Sequence, residues 1–180
     1  MAKDRFSFDS VEKEVRKKTF GILSTIDSKG RPHSTGIIYG VSPPRSSFAL
    51  YILVGESYAK VRNIKRNSSV SLVVTFPHYY VRFVPASYVM FRGTAEIVPI
   101  TNPDARWAMS QKRIQRMNLE TDPEQAGTNV VFIKITPEPT IFCYGLGFGL
   151  MEMRGDHTNI GYKVTIPKDR LLIDTVPIDM

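Results

Sequence analysis

The chain is short of cysteine, tryptophan and histidine, and each shortage removes a class of function. A single cysteine, Cys143, excludes an intrachain disulfide and any thiolate metal cluster built by one chain. The three histidines, His33, His78 and His157, lie far apart with no ligand-like spacing, so no zinc site is expected. No apolar run approaches the roughly 18 residues a membrane span requires. The polar start MAKDRFSFDS lacks a signal-peptide core. The expectation is a soluble, cytoplasmic protein. Paired carboxylates and nucleophile–base motifs are also missing, which leaves no side-chain machinery for hydrolysis.

What is plentiful is apolar content, at 42% of 180 residues, and positive charge, at +7. Residues 1–180 are expected to form one domain. The surplus of lysine and arginine favours phosphates, nucleic acid or anionic surfaces without choosing among them. Arg82 and Arg92 flank an aromatic stretch, but no recognised nucleic-acid module accompanies them, so a nucleic-acid partner is not expected.

Periodicity predicts a helix over residues 9–18, capped by Asp9, with Val11 and Val15 on one face. Glu12–Arg16 and Glu14–Lys18 are spaced as ion pairs. Strands follow at 20–26 and 32–39, joined by the turn Asp27-Ser28-Lys29-Gly30, and a proline-broken loop covers 42–47. Residues 48–54 read as a strand buried on both faces. Further strands are predicted at 70–76, 88–98, 129–135 and 140–144, with an irregular loop at 78–85. Asn102-Pro103 opens a helix expected to run to about Met117 and to bury Trp107, Ile114 and Met117. A polar linker is expected over 118–128. The glycine-rich segment 145–149 reads as a loop approached closely by chain or ligand, and the remainder as loosely strand-like, ending near 171–173. The fold class is therefore mainly β with peripheral helices, a barrel of about six to seven mostly antiparallel strands.

The most telling segment is the helix predicted over residues 57–67. It opens almost directly off a strand and carries Lys60 and Arg62 in its first turns. Backbone N–H groups at such a helix start attract phosphate. A solvated face would explain the same charges. His33, alone near its strand end, reads as a structural rather than a catalytic histidine.

Three stretches, GRPHSTGIIY, YILVGESYAKVRNIKRNSSVSLVV and MFRGTAEIV, taken in that order, resemble the pyridoxamine 5′-phosphate oxidase-like superfamily of flavin-binding split β-barrels. The resemblance spans about residues 19–135. It implies a homodimeric oxidoreductase that binds flavin mononucleotide (FMN) and a small-molecule redox substrate. Lys60 would hold the phosphate, with Ser57 helping from the helix cap beside Tyr58. His33, Ser34 and Thr35 would pass the flavin ring edge, and Ile52, Leu53 and Val54 would flank ring and ribityl chain. His33 or Arg92 would favour the anionic reduced ring. Substrate would stack near Tyr39 or Tyr58, and Tyr88 and Phe91 would sit at the subunit seam. Val54, Tyr58 and Ala59 stand where many relatives carry threonine, serine and arginine. Those departures leave a deazaflavin-dependent reductase, or a non-enzymatic module that binds or senses flavin or haem, as alternatives.

Overall fold

A computed structural model describes residues 5–78, 84–116, 129–155 and 159–171. Helix α1 (Phe8–Val15) is followed by strands β1 (Phe20–Ile26), β2 (Pro32–Ile38), β3 (Gly40–Val41) and β4 (Leu50–Gly55). Then come α2 (Ala59–Arg66), β5 (Ser69–Phe76), β6 (Ser87–Val98), α3 (Pro103–Met109), α4 (Lys112–Gln115), β7 (Val130–Pro137) and β8 (Thr140–Tyr144). The described chain closes with α5 (Leu150–Gly155), β9 (Gly161–Thr165) and a 3-10 turn (Lys168–Arg170). The fold is mainly β, and every strand pair is antiparallel, as the alternating apolar pattern predicts.

Seven strands follow one path, β2-β1-β5-β6-β7-β4-β3. Its two end strands are neighbours in sequence, separated only by Tyr39. The sheet therefore curls until its ends meet, and the chain itself, rather than a hydrogen-bonded ladder, makes the join. Tyr39 pins that join: it is fully buried and its hydroxyl donates to the Val15 carbonyl at 2.8 Å. Burial also drives its phenol far above the ordinary range. Tyr39 is thus wall, not the substrate-stacking ring expected of it.

Long strand β6 carries two partners in succession on one edge. Gly93 to Val98 pair with β7, and Tyr88 to Met90 pair with β8. The fork falls at Gly93, where a Cβ would lie 2.1 Å from the Thr136 carbonyl oxygen. Only glycine lets β7 come that close. Inside the barrel, Leu23, Leu50, Leu72, Phe91, Ile133 and Ile135 are essentially solvent-free. Each such side chain stabilises the fold by about 1.5–3 kcal/mol. Phe91, expected at a subunit seam, belongs to this core.

Several local expectations are corrected. Helix α1 is capped by Ser7, whose hydroxyl accepts from the Ser10 N–H, so it starts before Asp9. Glu12 pairs with Arg16 as spaced, but Glu14 pairs with Lys17 because the helix ends at Val15, before Lys18 can complete an (i, i+4) pair. The helix after Asn102 is broken at residues 110–111 into α3 and α4. Ile114 is buried as expected, whereas Trp107 is left 36% exposed. Residues 150–155 are helical because Glu152 accepts from the Gly149 N–H and holds Arg5. Met117, the 118–128 linker, Arg82, His157, and residues 79–83 and 172–173 of the predicted loop and final segment lie outside the described residues.

Candidate functional site

Curling the sheet onto Tyr39 brings two strand edges side by side without a ladder between them, and the space along these edges is the candidate cleft. Strand β3 pairs with β4 only at Tyr51 and Leu50, so residues 52–55 of β4 keep one edge without a strand partner. Strand β2 pairs only with β1, so its outer edge is free as well. Continuing the β3 register backwards sets the free edge of β2 alongside that of β4. The two strands touch without forming a ladder. A cleft between two strand edges offers backbone donors and acceptors, which suits a flat, polar-edged ligand.

Helix α2 sits at one end of this cleft. Val61 and Ile64 anchor it in the core. Buried Asn63 donates to the Thr25 hydroxyl at 3.0 Å, and that hydroxyl donates to the His33 carbonyl at 3.3 Å. This relay ties the helix to the start of β2. Lys60 lies three residues before Asn63 and so shares its helix face. The helix has no side-chain cap and no acidic residue in its first turn. The Val61 and Arg62 N–H groups donate to the Tyr58 carbonyl, so among the described residues only the Ala59 and Lys60 N–H groups of that turn are left for an anion. Lys60 is half-buried, and burial holds its ammonium below the ordinary lysine range. A partly desolvated cation beside an uncapped helix start is poised for an anionic group.

On β2, His33 and Thr35 share one face while Ser34 takes the other. The Thr35 hydroxyl oxygen is buried and has no hydrogen-bond partner. Buried polar groups are ordinarily paired, so an orphan here points to a missing ligand. Ser34 turns outward and its hydroxyl lies 2.8 Å from that of Ser24. Ile52 and Val54 point into the core and Leu53 packs towards α3, so β4 offers the cleft its backbone edge rather than three flanking side chains. Ser57 is not the cap, because the helix begins at Ala59 and the cap position falls on Tyr58. The Ser57 carbonyl instead accepts from Arg62, which turns that cation back on its own helix. Tyr58 is 56% exposed, its ring covers Gly55, and the Lys60 ammonium stands 5.6 Å from the ring centroid.

Arg92 lies elsewhere. Strand register aligns Ser34, Ser24, Ser71 and Arg92 across the outside of β2, β1, β5 and β6, two strands away from the cleft. The Arg92 guanidinium sits 5.0 Å over the Phe142 ring. The neighbouring row, Gly36, Ile22, Val73, Met90 and Phe142, is apolar across five strands. Phe20 (51% exposed), Ile22 (40%) and Tyr88 (37%) make this face unusually greasy. Such a patch marks an interaction surface. Sequence reading set Tyr88 at a seam but missed the row, because it requires knowing which strands are neighbours; the signal was the apolar residues at the outward positions of β1.

Among the described residues, no group of three or more histidine, cysteine, aspartate or glutamate side chains could hold a metal, and no helix is long and apolar enough to cross a membrane.

The family model for pyridoxamine 5′-phosphate oxidase matches residues 8–143, well over half of the 180. No curated protein matches by sequence. Among solved structures, HutZ, the heme storage protein of Vibrio cholerae, is 19% identical with a TM-score of 0.61, over 78% of this chain and 97% of that one. The conserved hypothetical protein Rv2991 of Mycobacterium tuberculosis is 22% identical with a TM-score of 0.54, over 73% and 81%. A heme binding protein of Mycobacterium smegmatis is 14% identical with a TM-score of 0.58, over 82% and 53%. At these identities the likeness is one of fold.

Proposed function

The chain belongs to the pyridoxamine 5′-phosphate oxidase family, and from that premise we propose that it binds FMN in the cleft between β2 and β4 and acts as an FMN-dependent oxidoreductase. The observation that carries this reading is Lys60, a half-buried cation at the uncapped start of α2. Lys60 and the first-turn N–H groups would hold the phosphate. The Thr35 hydroxyl, orphaned in the cleft wall, would donate to or accept from the cofactor. The free edges of β2 and β4, including the backbone of Ile52 to Val54 and of His33, would meet its polar rim. The flavin supplies the redox chemistry when bound, and the protein supplies binding, orientation and electrostatics.

The proposal includes a homodimer in a cytoplasmic setting. The apolar row through Ile22 and Met90 would be its seam, and Arg92, beside that seam, would reach a cofactor only across the subunit boundary. Tyr58, exposed beside Lys60, would then border the space left for a small-molecule redox substrate. Ser34 would contribute at the seam through its outward hydroxyl rather than along the ring edge, and Ser57 only by its backbone.

A second reading, haem binding without turnover, draws on the two structural neighbours whose names specify heme. A deazaflavin would use the same α2 start for a longer anionic tail. Titrating the purified protein with FMN, a deazaflavin and haemin separates the three. Quenching of flavin fluorescence at one FMN per chain, followed by repeated bleaching and reoxidation with reduced nicotinamide under air, supports the oxidoreductase. A sharp Soret band with no flavin quenching would replace it with the haem reading.

A further inference from the structure

A second cavity lies at the other end of the barrel. It measures about 440 Å³ and is walled by the end of α1, the end of β5, helix α4 and the loop 145–148. Phe76, on its rim, stands five residues beyond Ser71, which pairs with Ser24. At the strand rise of about 3.4 Å per residue, that is about 17 Å from the serine row. No residue of β2, β4 or α2 lines this hollow, so it and the Lys60 cleft are separate.

Its chemistry is distinctive. Lys17, Lys18 and Arg113 face it together with a single carboxylate, Glu14. Glu14 is already taken by Lys17. Arg113 donates to the Lys17 carbonyl at 2.6 Å, which fixes the guanidinium at the rim, and it has no carboxylate partner among the described residues. Lys18 has no carboxylate partner among the described residues, and its ammonium stands 5.6 Å from the centroid of the Phe76 ring. Phe76 is largely buried, so its ring gives the hollow a small apolar surface beside that charge. Across the hollow, Phe148 is held by Phe6, with ring centroids 5.0 Å apart. Gly145 and Gly147 have left-handed backbone (φ 68° and 85°), and Leu146 between them lines the hollow as well. His78 and Ser87, 3.4 Å apart, add a polar pair.

We propose that this hollow is a second ligand site, for a small aromatic molecule carrying a carboxylate or a phosphate. Two cations without a carboxylate partner among the described residues select the anion, and Phe148, with the small exposed part of Phe76, offers apolar contact to a ring. The volume falls within the range of small-molecule pockets, about 300–1,000 Å³.

The test is calorimetric titration of the full-length protein with 1-naphthoate, 1-naphthyl phosphate and uncharged 1-naphthol, each with and without saturating FMN. Expected are one anion bound per chain, at least about tenfold weaker binding of naphthol, and about tenfold losses in Lys18→Ala and Arg113→Ala. The tighter of the two anions identifies the head group. FMN should leave these values unchanged. Arg113 also ties α4 to α1, so its variant can lose stability. Chemical-shift changes at Phe76 and Phe148 in the unmodified protein locate the site independently. Naphthol binding as well as the anions, a Lys18→Ala variant binding normally, shifts elsewhere, or displacement by FMN would each overturn the proposal. Failure to bind FMN at all would defeat the cofactor reading and leave this one standing.

Discussion

Replacing Lys60 by alanine tests the cofactor cleft most directly. Lys60 shares a helix face with Asn63, whose amide is locked to Thr25, so the ammonium cannot be substituted by a small helix movement. A charge-assisted hydrogen bond to phosphate contributes about 1.5–3 kcal/mol. Its loss should weaken FMN binding about tenfold to a hundredfold. The open N–H groups of α2 survive the substitution and retain a residual contribution of about 0.3–1 kcal/mol. Binding should therefore fall without vanishing. Lys65 is the internal control: it lies about 7.5 Å further along the helix and pairs with Glu56 at 2.9 Å. Lys65→Ala should change binding by less than about 0.5 kcal/mol. Burial lowers the Lys60 pKa, so its charge, and with it FMN affinity, should be lost on raising pH earlier than for an exposed lysine. Lys60→Arg, charged throughout, should flatten that alkaline limb. Fluorescence titration from neutral to alkaline pH reads both effects. Equal losses in Lys60→Ala and Lys65→Ala would refute a specific phosphate site at Lys60.

Other elements make separate predictions. Gly93→Ala forces a methyl against the Thr136 and Pro137 backbone and should cost about 1–3 kcal/mol in urea unfolding; a change under about 0.5 kcal/mol would mean β7 can retreat from the fork. Glu12, bridging Arg16 and Arg170 at 2.6 and 2.8 Å, is almost solvent-free, so Glu12→Ala should lose about 3–5 kcal/mol at neutral pH. Burial raises the Glu12 pKa, but the hydrogen bonds and charges of Arg170 and Arg16 outweigh it and leave it lowered. Its contribution is therefore present above the ordinary carboxylate range and disappears as pH falls through the folded-state value, and the gap between variant and parent should close in acid. Ile22→Asp places a charge in the apolar row. Sedimentation should show the parent at twice 20.4 kDa and the variant at the chain mass; a parent that is monomeric with FMN bound would end the shared-seam picture.

Much of the fold was legible because its signals are local. Strand β1 falls where the apolar run Phe20–Ile26 places it, and β8 is likewise bounded by Pro139 and Gly145. The turn at residues 27–30 closes as its residue types require. Gly30 has φ 75°, and Asp27 accepts from the Arg31 and Lys29 N–H groups, with Arg31 pulling its carboxyl down to about 2. Helix ends were harder. Periodicity runs smoothly from Pro103 through Ile114, yet the helix breaks at Ser110, whose hydroxyl bonds the Trp107 carbonyl. Side-chain competition of this kind leaves no trace in apolar spacing. Trp107 was misplaced for a related reason: Ala105 and Ala108 let α3 lie close on β3 and β4, and the ring is turned out.

The site was legible as a list of residues but not as a place. Lys60 stands out in sequence because a cation follows a strand so closely, and the structure puts it on the helix face that meets β1. Consecutive residues on a strand, however, cannot all face one ligand. His33 and Thr35 go to one side and Ser34 to the other, and Ile52 and Val54 are parted from Leu53 in the same way. The feature that creates the cleft is non-local: β2 and β3 are the two ends of the sheet and adjoin in sequence. No window of residues contains that fact. It follows only once β7 is known to pair with β4, just over eighty residues away by the register Ile52–Ile133. The same non-local pairing aligns Ile22, Val73 and Met90 into an outward apolar row and puts Arg92 beside it. The polar groups proposed for a cofactor rim and the apolar groups proposed for a seam would therefore occupy opposite faces of the same strands, β1 and β2. A ligand edge in the cleft and a second subunit on the outer face can coexist, and an arginine on that face can serve a cofactor only through the second subunit.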